Sequence, residues 1–89
     1  MAYNTVYYEI SDLNSLSKEL RSFILQVNSD NQRMLNETID VNSSWNDRQY
    51  NQFRAYMEEL SEQIEACSGR LNESNDKLDD LIHRLLMET

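Results

Sequence analysis

Proline is absent from the 89-residue chain, and glycine occurs once, at Gly69. A fold of many short strands needs both residues at its turns, so their scarcity excludes a multi-stranded sheet and leaves an all-α reading. Cysteine is equally scarce. Cys67 has no second thiol to bridge to and no companion at metal-ligand spacing, so it is expected to act as a small buried apolar side chain. Basic side chains number 8 against 16 acidic ones, a net charge of −8, which repels a nucleic-acid backbone and an anionic membrane surface alike. No run comes near the roughly 20 apolar residues of a membrane span. The N-terminal Met1-Ala2-Tyr3-Asn4-Thr5-Val6 has neither the basic nor the apolar region of a cleaved leader. Any export is therefore expected to proceed without one.

What the chain does have is a seven-residue repeat. In the first half Val6, Leu13, Leu20, Val27, Met34 and Val41 recur at sevens, with Ile10, Leu16, Phe23 and Ile24 filling positions between them. In the second half Tyr50, Met57, Ile64, Leu71, Leu78 and Leu85 do the same, with Phe53, Leu60, Cys67 and Leu81 three residues after their predecessors. Sevens mark helices that supercoil on a shared apolar seam. Ser11 is a candidate N-cap, with Asp12 placing negative charge at the positive helix end. Gly69 does not shift the apolar phase, so the second segment reads as one long helix with a soft point. Asp30, Asn31, Ser74 and Asn75 put polar groups where the second seam residue belongs, a device that fixes register at a cost in stability.

Between the two segments lies the polar stretch Asn42-Ser43-Ser44-Trp45-Asn46-Asp47, holding the only tryptophan of the chain. Ser and Asn side chains compete for their own backbone groups, and Asn tolerates the left-handed conformation that ends a helix, so this stretch stops one helix and restarts the next. Asp47 or Ser44 is the cap expected for the second helix. The expected domain is a single hairpin: an N-terminal arm over 1–10, helix one over 11–42, a turn over 43–47 and helix two over 48–87. The seam is assigned to Leu13, Leu20, Val27, Met34, Met57, Leu60, Ile64, Leu71, Leu78 and Leu85. Two helices alone satisfy only part of such stripes, and the remainder asks for a second hairpin, making a four-helix bundle by dimerisation.

These residues resemble a known family. A helix opened by Ile10-Ser11-Asp12, Trp45 in a short turn with Asn46 and Asp47, then Tyr50 and Phe53 and a long amphipathic helix, look like the WXG (Trp-x-Gly) proteins of type VII secretion. The resemblance spans nearly the whole chain. It implies a non-enzymatic helical hairpin that pairs with itself, with a related WXG-like protein or with an effector, and that leaves the cytoplasm through a membrane ATPase apparatus without a cleaved signal. Two positions depart from the family pattern. Asp47 stands where the motif has Gly, and the C-terminal export signal Tyr-x-x-x-Asp/Glu is missing, since Tyr50 leads to Arg54 and Tyr56 to Leu60.

Enzyme motifs are scarce. Asp80 and His83 have the acid-x-x-His spacing of carboxylate metal bundles, but the register set by Leu78 and Leu85 turns both away from the seam. Glu58, Glu59, Glu62 and Glu65 read as a wet helix flank. Neither a phosphate loop nor a nucleophile motif is present, so no catalytic residue, metal or cofactor is expected. The alternative to a secreted hairpin is a cytoplasmic coiled-coil adaptor or chaperone, built from the same two helices.

Overall fold

Glu9 is extended, with φ −118° and ψ 134°, and from the next residue onward the backbone is helical. The computed structural model describes residues 9–88, and over these the chain forms α1 (Ile10–Asp40), a single 3₁₀ turn (Val41–Ser43) and α2 (Arg48–Glu88). All but Glu9 and Ile10 of the expected N-terminal arm lies outside the described residues. The helices run antiparallel as a hairpin in a rod 67 Å long and 18 Å by 16 Å across. Helix one starts one residue before the expected Ser11. Its cap position is Glu9, which makes no side-chain cap bond; the Glu9 carbonyl instead accepts from the amides of Asp12 and Leu13 at 3.1 and 3.2 Å. Asp12 remains in the first turn, where its charge opposes the positive end of the helix.

The turn also differs from expectation. No left-handed residue ends α1: Asp40, Val41 and Ser44 all stay right-handed. The helix instead tightens, and the Val41 carbonyl collects the amides of Ser44 and Trp45 at 3.0 and 2.9 Å. The Ser43 and Ser44 hydroxyls donate back to the carbonyls of Asp40 and Val41. Orphan carbonyls at a helix end are satisfied this way when no glycine supplies a left-handed cap.

The line of closest approach between the helices is made of small and polar side chains. Ser17, Ile24, Asn31 and Thr38 are buried on α1, and Ser61, Ser68, Asn75 and Ile82 on α2, each set spaced by sevens. Ser17 Oγ donates to Asp79 Oδ1 at 2.6 Å, beside an ion pair between Arg21 and Asp79. Ser68 Oγ donates to Asn28 Oδ1 at 2.8 Å, and Asn31 Nδ2 donates to the Ser61 carbonyl at 3.4 Å. Asn31 Oδ1 and Ser61 Oγ are buried without a partner. Among the described residues only Ile24, Tyr50 and Ile82 are fully buried apolar side chains. Leu20, Val27, Ile64 and Leu71, expected in the core, are half-buried, because the small row occupies the centre of the contact and sets them to its side. Gly69 lies within α2, and a Cβ added there would meet nothing within 4 Å.

Two substitutions test this seam. Gly69→Ala should raise stability by about 0.5–1 kcal/mol, since it removes backbone freedom from the unfolded chain and clashes with nothing. Ser68→Ala should lower it by about 0.5–1.5 kcal/mol through loss of the Asn28 bond. Urea denaturation followed by circular dichroism measures both, and equal effects of the two changes would contradict the seam described.

Candidate functional site

Asp47 organises the end of the rod. It precedes the first residue of α2, and its Oδ1 accepts the Tyr50 amide at 3.0 Å, which satisfies an orphan donor of the first turn. The same oxygen accepts the indole N–H of Trp45 at 3.0 Å. One carboxylate oxygen thus caps α2 and holds the tryptophan ring. The ring meets Tyr50 edge-on at 5.4 Å between centroids and lies tilted over Phe53 at 5.5 Å, separations at which aromatic pairs attract. Tyr50 is 1% exposed, and its hydroxyl donates to the Thr38 carbonyl at 2.7 Å, which ties α2 to the last turn of α1. The three aromatics singled out from the sequence therefore come together. Trp45 is half-buried, Phe53 lies on the surface, and Asn46 is exposed beside them.

A second feature runs the length of the rod. Leu13, Leu20, Val27 and Met34 lie about 50° around α1 from the buried row, and Met57, Ile64, Leu71, Leu78 and Leu85 lie at the same offset, in the same sense, on α2. In an antiparallel pair, equal offsets in one sense fall on the same side of the hairpin. The opposite side is marked by Arg21 and Asp79, which pair there from the opposite offset. All nine apolar residues are half-buried. Flanking them are Leu60, also half-buried, and the exposed Leu16, Phe23, Phe53 and Leu81, with Leu16 at 54% and Phe23 at 55%. Cys67 belongs to this outer row and is exposed, contrary to its expected burial, because only the row of Ser68 reaches α1. The hairpin therefore carries one continuous apolar face.

Asp80 and His83 are exposed on α2, and among the described residues no cluster of three His, Cys, Asp or Glu side chains forms a metal cage. No helix among the described residues is long and apolar enough to cross a membrane. A shallow cleft of about 560 Å³ lies on the opposite side, between Leu35 and Ile39 of α1 and Glu58, Ser61 and Glu62 of α2. Sequence reasoning missed the Ser17, Arg21 and Asp79 network, although a row of Ser, Asn and Thr at sevens was there to be read. No protein-family model, curated protein or solved structure matches the chain.

Asp47→Ala removes both the cap and the indole acceptor and should cost about 1–2 kcal/mol. Asp47→Asn, which keeps an oxygen acceptor, should cost distinctly less. Equal losses in thermal melts of the two variants would mean that the oxygen does not hold the turn.

Proposed function

We propose that the protein is a non-enzymatic, WXG-like helical hairpin that works by pairing, with itself or with a related hairpin, in association with a type VII secretion system. The observation that carries the pairing is the apolar face itself. Three buried apolar side chains in the described hairpin are too few to offset the conformational entropy of ordering two helices. Covering the apolar face supplies the missing burial and makes a four-helix bundle. The secretion reading draws on the resemblance of the turn: Trp45 pinned at the apex, with Tyr50 and Phe53 against it. Asp47 stands in place of the family's Gly, and its carboxylate serves as the cap of α2. A cytoplasmic adaptor would use the same face, so location is what separates the two readings.

Light scattering after size exclusion should give about twice the chain mass. Added salt should tighten the pair, since two copies at −8 each repel over a Debye length of about 10 Å. In the assembled state Leu71→Ala should cost about 2–5 kcal/mol, as buried leucines do, and Glu62→Ala little. A monomer with full cooperative helicity would end the pairing argument.

Export is tested by fractionating a tagged copy between medium and cell pellet, with and without the secretion ATPase. Trp45→Phe should abolish export while helicity and mass stay normal. Unchanged export of a folded Trp45→Ala protein would remove the ring from that role, and retention of the native chain in the pellet would favour the adaptor.

A further inference from the structure

The side of the rod opposite the apolar face is shaped as well. Its cleft of about 560 Å³ has unlike walls, with Leu35 and Ile39 on α1 and Glu58, Glu62 and Glu65 on α2. The three glutamates recur at i, i+4 and i+7, so they stand on successive turns over roughly 10 Å. Ile39 is 47% exposed, and Leu25, two heptads before it in the same row with Gln32 between, is 71% exposed. A smaller hollow of about 170 Å³, lined by Arg21, Ile24, Leu25 and Asn72, continues the cleft toward the open end. Gly69 follows Glu62 by seven and stands in its row, where the lack of a side chain lowers the rim near Leu25. From Ile39 to Leu25 the groove runs about 20 Å.

The acidic wall is short of cations. Arg54 reaches Glu58 at 3.5 Å, and among the described residues Glu62 and Glu65 enter no ion pair. Beneath them Ser61 lines the cleft at 2% exposure, and its Oγ has no hydrogen-bond partner. A buried hydroxyl left unpaired is costly, and a donor entering the cleft relieves that cost. A lysine ammonium carries three donors and no acceptor, so it suits the hydroxyl and the carboxylates together. A free polyamine would answer the carboxylates but leave Leu25 and Ile39 in water. A helix with a row of lysines beside a row of leucines answers both walls, because its rows rise turn by turn as the glutamates do. Exposed ion pairs contribute little by themselves, so the apolar wall supplies the holding contact and the glutamates select the sign of the partner.

We infer that this groove docks a basic amphipathic helix of a partner protein, its lysines over Glu58, Glu62 and Glu65 and its apolar row against Leu35, Ile39 and Leu25. The inference goes beyond pairing and does not depend on it, because the groove and the apolar face lie on opposite sides of the rod.

The probe is a fluorescein-labelled synthetic peptide with lysines at i, i+4, i+7 and i+11, each followed by a leucine, titrated with the full chain and followed by anisotropy. Binding should saturate, and added salt should weaken it, the opposite of the effect of salt on pairing. Peptides with glutamate for lysine, or with serine for leucine, should not bind. Glu62→Lys combined with Glu65→Lys should lose binding, while Glu19→Lys combined with Glu73→Lys, an equal change of charge outside the groove, should keep it; circular dichroism checks that both variants stay helical. Ser61→Ala should leave the melting temperature unchanged or raised, since the lost hydroxyl had no partner, yet weaken the peptide by about tenfold. Undiminished binding by the Glu62 and Glu65 variant would put the peptide on the apolar face and overturn the inference. Equal binding of the serine peptide, or full displacement by spermidine, would make the groove a general cation surface and overturn it too.

Discussion

The contact on which the rest of the molecule depends is the approach of two helices along a row of serines, asparagines and a threonine. Small side chains let the backbones come close, and the polar groups bond across the gap, as Ser68 does to Asn28 and Ser17 to Asp79. Such a seam fixes level and register well and buries little apolar surface. The leucines, isoleucine and methionines that would form the core of an ordinary hairpin are displaced to one side. A long apolar face on one side of the rod follows from that displacement.

The two ends of the rod are unlike. At the turn, hydrogen bonds converge on two groups: the Val41 carbonyl gathers two amides and a hydroxyl, and Asp47 Oδ1 gathers an amide and an indole. Tyr50 adds a bond back to α1. At the open end α1 begins without a side-chain cap. Toward the open end the helices are instead joined side chain to side chain, through Ser17, Arg21, Asn75 and Asp79.

Much of the architecture was legible in the residues. Sevens in both halves marked two long helices, the unshifted phase through Gly69 marked α2 as continuous, and the Ser- and Asn-rich stretch marked the turn. The seam was harder to see. Two neighbouring rows each repeat at sevens, one apolar and one small and polar, and hydrophobic periodicity selects the apolar one. Which row faces the sister helix and which faces outward depends on how closely the backbones approach, a tertiary property. The same ambiguity explains Cys67, assigned to the interior by its residue type and found exposed. The cap at Ser11 failed for a local reason, since the backbone is already helical at Ile10. Asp47 could be read as a cap, but its hold on the Trp45 indole could not, because that bond depends on the path of the turn.

The placement of Trp45 has a spectroscopic consequence. The sole indole sits at the turn end of a 67 Å rod, bonded to Asp47, so its emission reports the polarity around the apex alone. Fraying that starts at the uncapped end and advances through Ser17 and Asn75 would remove helical ellipticity while the fluorophore still saw its native surroundings. Unfolding followed by fluorescence and by far-ultraviolet dichroism would then give two midpoints for one chain, and the gap between them would measure how far the hairpin opens before its turn gives way.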